Sequence, residues 1–371
     1  MAPHSDSKMP AKGVVYALLA ALLFGITTPL AKGLLVGISP VLLAGLFYLG
    51  SGIGLGIYLL TTQLAAQITG RQKSSEASLQ KSDLPWLAGA IIFGGIIAPA
   101  FLMFGLATTK ASSASLFLNL EGVFTALIAW FIFRENFDKR IFLGMVAIVL
   151  GGIILSGAEV NLTSVRTNLG GVLLIVGACL SWAIDNNLTR KVSNANPAQI
   201  TCLKGLFAGL VNVSLALFFQ AESAALPSLS YIMAALFVGF LGYGVSLALF
   251  VLALRHLGTA RTGAYFALAP FVGAAIAILL LNEPMTWAFL AAACLMAIGL
   301  WLHLTENHSH EHVHQQMQHQ HKHTHDEHHQ HVHAGDDAKN TSGEPHTHSH
   351  IHERLEHGHA HFPDAHHQHE H

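Results

Sequence analysis

The chain has 371 residues, 52% of them hydrophobic and 11% charged, with a mean hydropathy of +0.48. Soluble domains carry roughly 25% charged residues, so most of this chain is excluded from the water-soluble globular class. The formal charge of -2 is a cancellation. Residues 305–371 hold 11 acidic residues, 3 basic ones and 23 of the 26 histidines, a charge of -8, and residues 1–304 carry +6.

A spanning helix needs about 20 mostly apolar residues to cross a hydrocarbon layer of about 30 Å. After a short N-terminus, residues 1–12, such runs fall at 13–35, 40–61, 85–107, 112–133, 140–158, 168–189, 198–219, 231–254, 259–281 and 284–304. The first is too long for a signal-peptide core and has no small-residue cleavage site behind it, so it reads as a spanning helix. Most joins are short. The stretch from Thr62 to Asp83, with Arg71, Lys73, Ser74, Ser75 and Glu76, reads as a solvated loop. Cys179, Cys202 and Cys294 each sit in an apolar run without paired spacing and read as small buried residues. Four tryptophans, Trp86, Trp130, Trp287 and Trp301, fall near helix ends as interfacial anchors do.

Lys and Arg in short loops set orientation. Alternate connections on one side hold Lys8, Lys12, Arg71, Lys73, Lys81, Arg134, Lys139, Arg140, Arg190, Lys191, Arg255 and Arg261; the other side holds Lys32, Lys110 and Arg166. That bias predicts a multi-pass inner-membrane protein with both termini in the cytoplasm. Ten spans independently require both termini to share one side.

The chain also repeats itself weakly. At an offset of 148, Leu106–Glu135 falls on Leu254–Glu283, with a small-residue helix entry and a terminal glutamate in both copies. At an offset of 158, Phe24-Gly25-Ile26 falls on Trp182-Ala183-Ile184 and Lys32 on Arg190. The order predicts two five-helix blocks, 13–158 and 159–304. Five is odd, so the second block runs inverted, the arrangement of secondary transporters that bind solute near the midplane. The expected fold is therefore an all-α integral membrane bundle of ten helices in two inverted repeats, followed by a disordered histidine-rich tail, residues 305–371.

Phe24-Gly25-Ile26-Thr27-Thr28-Pro29-Leu30-Ala31-Lys32, with the helix ends Glu135 and Glu283-Pro284, resembles the EamA family of the drug/metabolite transporter superfamily. The resemblance covers residues 13–304. It implies a ten-helix bundle moving a small organic solute, commonly outward and coupled to an ion gradient. Asn136 stands where the family often has proline, and Asp185-Asn186-Asn187 stands where helix 1 has Thr27-Thr28-Pro29.

Ionisable groups in hydrocarbon cost at least about 2.5–3.5 kcal/mol each and face a cavity or a partner. Glu121, with Asn119 two residues before it, is placed to be a proton or cation site, because desolvation lets a carboxyl bind and release a proton. The alternative is a neutral glutamic acid used for packing. Its repeat counterpart is Ala269, so the architecture does not demand a charge there. Asp185 and Lys204 are placed to pair, either around a zwitterionic substrate or as a structural lock. Asn186, Asn187 and Asn119 offer donors and acceptors to a polar solute or to other helices. Pro29, Pro99 and Pro270 each interrupt a helix and free the carbonyl four residues earlier.

The tail alternates histidines: His308, His310, His312 and His314; His319, His321, His323 and His325; His328, His329, His331 and His333; His346, His348, His350 and His352; and His357, His359 and His361. Neutral imidazoles suit Zn, Ni, Co or Cu, and so few apolar residues predict disorder without metal. No cofactor is required by the bundle.

Three functions stay open. The first is a transporter of a small polar metabolite such as an amino acid. The others are a transition-metal exporter whose tail collects ions, and a metal-buffering membrane protein that transports nothing. The sequence predicts a lipid-bilayer protein, with a homodimer possible and no nucleic-acid partner. No nucleotide-binding motif is present, and nothing in it reads as an enzyme.

Overall fold

The structure, a computed structural model, describes residues 11–69, 79–133, 139–159, 165–192, 195–219, 227–250, 252–253, 262, 265–304, 309–314, 317–323, 346–352 and 355–360. The apolar runs form helices because a helix pairs its backbone N–H and C=O groups within one segment, as a hydrocarbon layer demands. In order these are α1 (Ala11–Leu34), α2 (Pro40–Thr69), α3 (Leu84–Ala90), α4 (Ala98–Thr108), α5 (Ala111–Phe117) and α6 (Leu120–Phe133). Then come α7 (Lys139–Glu159), α8 (Val165–Arg190), α9 (Pro197–Phe219), α10 (Leu229–Gly239), α11 (Ala269–Leu281) and α12 (Trp287–Leu304). Among the described residues, seven helical stretches are long and apolar enough to cross a membrane, and three shorter apolar helices accompany them.

Several details depart from the sequence reading. Helix α2 continues to Thr69, through residues predicted as loop, because Gln63-Leu64-Ala65-Ala66-Gln67 are good helix formers. Its 30 residues span about 45 Å, so one end extends beyond an ordinary hydrocarbon layer. Helices α3 and α4 are joined by a π-helical stretch, Ile91–Ile97, and α10 runs into another, Phe240–Val245. These two irregular stretches lie about one repeat offset apart. Pro270 does not interrupt a helix: it starts α11, after a turn at Ala267-Leu268, where its missing N–H costs nothing. Pro99 stays inside one continuous helical stretch, where the π-helical turn passes into α4, and Pro29 remains inside α1.

The core is made by α2 against α9, α4 against α8, α7 against α12 and α1 against α11. Close approach is the rule. A Cβ on Gly25 would lie 2.5 Å from the Ala269 carbonyl oxygen, and one on Gly273 2.7 Å from the Gly25 oxygen, so α1 and α11 touch backbone to backbone. Phe47, Phe117, Leu102, Met103, Leu106, Ile175 and Met296 fill the interior.

In the tail, the described residues form four strands: β1 (Ser309–His314), β2 (Met317–His323), β3 (His346–His352) and β4 (Leu355–Ala360). β1 pairs with β4 and β2 with β3, both antiparallel. In each ladder the backbone N–H and C=O groups of two extended segments pair with one another. Of the residues singled out from sequence, Lys8, Arg71, Lys73, Ser74, Ser75, Glu76, Arg134, Glu135, Asn136, Arg255, Arg261, His308, His325, His328, His329, His331, His333 and His361 lie outside the described residues.

Candidate functional site

The fourth apolar run is two helices. α5 ends at Phe117, Leu118 and Asn119 form a turn, and α6 starts at Leu120. Glu121 therefore sits in the first turn of a half-helix, where unpaired N–H groups and the helix dipole favour an anion. Asn119 folds back, its Nδ2 donating to the Leu116 carbonyl at 3.0 Å. From α8, Asn186 Nδ2 donates to Glu121 Oε1 at 2.7 Å. Asn186 is exposed and Glu121 half-buried, so this pair borders open space.

One residue earlier on α8, Asp185 is buried. Lys204 Nζ donates to its two carboxylate oxygens at 2.6 and 2.7 Å, and Thr189 Oγ1 donates to Oδ1 at 2.8 Å. Lys204 Nζ also lies 3.4 Å from Thr189 Oγ1. Gly94 makes room for this pair: a Cβ there would overlap the Asp185 carboxylate.

Gly94 lies buried in the π-helical stretch. Its carbonyl accepts Tyr48 Oη at 2.6 Å and Trp182 Nε1 at 3.1 Å. The Gly95 carbonyl, freed by Pro99, accepts Asn212 Nδ2 at 3.0 Å. Around these stands an aromatic layer in which Phe24 lies 5.8 Å from Tyr243 and 5.4 Å from Phe266, and Tyr48 lies 5.3 Å from Tyr243.

One end of the bundle is fastened by two charged side chains. Glu283 crosses between halves: its Oε1 and Oε2 accept the Ala111 and Ser112 N–H groups at the start of α5, both at 2.8 Å. Lys32 Nζ, on α1, donates to the Leu106 and Thr109 carbonyls at the end of α4, at 2.6 and 2.8 Å. Each charge meets the helix end whose dipole it complements.

Of the predicted site residues, Glu121 and Asn186 meet, and Asp185 and Lys204 meet. Asn119 lies in the helix break. Asn187 is spent on its own helix, donating to the Ala183 carbonyl at 2.8 Å. Pro29 and Pro270 border the region without contributing a polar group. Sequence reasoning missed Gly94, Thr189, Tyr48, Trp182 and Asn212. Asn212 carried a legible signal, an amide in the middle of an apolar run, and so did Trp182, the one tryptophan away from a helix end. Among the described residues no group of three or more His, Cys, Asp or Glu stands together.

The sequence profile of the EamA-like transporter family matches the chain twice, over residues 11–157 and 169–305. The chain belongs to the EamA-like transporter family. It is a multi-pass membrane transporter and no enzyme. An uncharacterized transporter of Methanothermobacter thermautotrophicus is 30% identical over 280 residues, 74% of this chain and 80% of that one. A probable amino-acid metabolite efflux pump of Salmonella typhimurium is 27% identical, covering 52% of this transporter and 67% of its own length. One of the same description from Escherichia coli K12 is 24% identical over the same shares. A crystal structure 17% identical in sequence superposes with a TM-score of 0.57, covering 79% of this transporter and 98% of that chain. That likeness concerns the fold.

Proposed function

We propose that this transporter exports a small polar metabolite of the amino-acid class, coupled to an ion gradient, by alternating access between two inverted five-helix halves. In this reading the ten apolar segments all span the inner membrane, and both termini lie in the cytoplasm. The observation that carries it is the broken helix that presents Glu121 beside Asn186, matched one repeat away by the turn before α11. Half-helix ends near the bilayer midplane are where secondary transporters bind solutes and ions. Glu121 is the proton or cation site, with Asn186 holding its carboxylate. Asp185 and Lys204 satisfy each other and Thr189 completes them, so this pair fixes α8 against α9 beside the site. Glu283 and Lys32 close the end away from the cytoplasm. Two relatives described as probable amino-acid metabolite efflux pumps favour the substrate class.

The test is efflux of a panel of labelled amino acids from proteoliposomes under an imposed proton gradient. Gradient-dependent movement that disappears in Glu121→Gln supports the reading. Substrate movement indifferent to both the gradient and Glu121 overturns the coupling, and no movement of any amino acid overturns the substrate class.

A further inference from the structure

The two π-helical stretches answer to each other. At the offset of 148 residues, Ile91–Ile97 falls on 239–245, so each half carries one at the same place. A π-turn is rare, leaves carbonyls without their ordinary helix partner, and recurs where a helix kinks or serves a functional site. Each stretch also grips the opposite half in the same way. A Cβ on Gly94 would overlap the Asp185 carboxylate, and one on Gly242 would overlap the Thr27 methyl. Gly94 and Gly242 are 148 residues apart, and Thr27 and Asp185 are 158 apart, the same two offsets that relate the halves.

What differs is how the carbonyls are held. In the first stretch Tyr48 Oη and Trp182 Nε1 donate to the Gly94 carbonyl at 2.6 and 3.1 Å, and Asn212 Nδ2 donates to the Gly95 carbonyl at 3.0 Å. Their repeat counterparts cannot do this. Phe24 stands for Trp182 at the offset of 158. With α2 and α9 aligned on their first residues, Pro40 and Pro197, Gly205 stands for Tyr48 and Leu55 for Asn212. None of the three has a side-chain donor. The repeat thus calls for two π-helical stretches but not for the three donors, which serve one stretch alone. Tyr48 reaches from α2 and Trp182 from α8, so the Gly94 carbonyl is tied to both halves at once. Trp182 also lies one turn before Asn186 on the same face of α8, and Asn186 holds Glu121.

We propose that Ile91–Ile97 and Phe240–Val245 are paired hinges for alternating access, and that Tyr48, Trp182 and Asn212 are positioning residues that hold the first one fixed. The first hinge bends when α8 moves and Trp182 leaves the Gly94 carbonyl. The second lacks these tethers and bends more readily. A change at Glu121 and Asn186 reaches the first hinge along one turn of α8. The inference rests on the alternating-access reading of the two halves, and not on which solute they carry.

The experiment measures spin-label distances in the full chain in lipid nanodiscs, with no solute added. The exposed Cys294 is replaced by alanine, and Cys179 and Cys202 stay buried. Labels at Leu84 and Phe104 flank the first hinge and labels at Met233 and Leu252 the second; all four side chains are exposed. The native chain should give one narrow distance across the first hinge and a broader distribution across the second. Tyr48→Phe keeps the ring and removes only the hydroxyl, and Trp182→Phe removes the indole N–H. Each should raise a second population across the first hinge about fivefold, the weight of one hydrogen bond, and leave the second hinge as it was. Tyr58→Phe, at an exposed position of the same α2, is the control and should change neither distance. A first-hinge distribution unchanged in both variants overturns the tether. An equal change across both hinges also overturns it, because general loosening would produce the same. A native chain as broad across the first hinge as across the second overturns the asymmetry. One rigid distance across both hinges, in a chain that still exports its solute, overturns the hinges and leaves the export reading standing.

Discussion

Lys204 on α9 holds both oxygens of Asp185 on α8, at 2.6 and 2.7 Å, with the two side chains buried against Gly94 of the π-helical stretch. The pair is closed on itself. Removing one member of such a pair leaves an uncompensated buried charge, and costs about 3–5 kcal/mol. Asp185→Asn and Lys204→Met are each expected to lower the unfolding temperature in detergent markedly. The double variant Asp185→Leu with Lys204→Met should recover most of the loss. A double variant as unstable as the sum of the two would contradict a self-contained pair.

Glu121→Gln preserves the acceptor for Asn186 and removes only the ionisable proton. Stability should change by no more than about 0.5 kcal/mol. Gradient-driven efflux should fall roughly tenfold or more, and the remaining flux should lose its dependence on pH. Initial rates in proteoliposomes at several pH values measure both.

Glu283 accepts two backbone N–H groups from the opposite half, and its loss orphans them. Glu283→Ala should cost about 1–2 kcal/mol. It should also expose the start of α5, which amide hydrogen exchange at Ala111 and Ser112 would report. Unchanged protection there would show that the carboxylate does not hold this end shut.

Gly94→Ala inserts a methyl where the Asp185 carboxylate stands. About 1–3 kcal/mol of destabilisation is expected, read as a lower unfolding temperature. Gly157, in α7, has nothing within 4 Å of an added Cβ. Gly157→Ala should be neutral or stabilising by up to about 1 kcal/mol, which separates the contact from a general intolerance of alanine.

Removing residues 305–371 should leave amino-acid efflux by the bundle unchanged, since no residue of the proposed site lies in the tail. A comparison of initial rates per reconstituted protein measures this. A loss of flux with an unaltered unfolding temperature would tie the tail to transport.

The positions of the apolar helices were legible because each reads from a local count of apolar residues. Glu121, Asp185 and Lys204 were legible as charges too costly to leave alone in hydrocarbon. Their partners were partly so: Asp185 with Lys204 followed from a short connection, whereas Glu121 with Asn186 joins residues 65 apart. Pro270 misled, since a proline inside an apolar run reads equally as a kink or as the first residue of a new helix.

What the sequence determined by itself was the all-helical membrane class, the place of most apolar helices, the family and the histidine alternation. Each depends on local composition, and a low-dielectric layer requires long apolar helices whatever their neighbours. The tertiary structure decided where α5 gives way to α6, that Asp185 closes on Lys204 against Gly94, that Glu283 caps a helix of the other half, and which histidines oppose one another in the tail. Those depend on contacts between distant segments, and a period-two polar strand leaves its own register weakly specified until a partner strand fixes it.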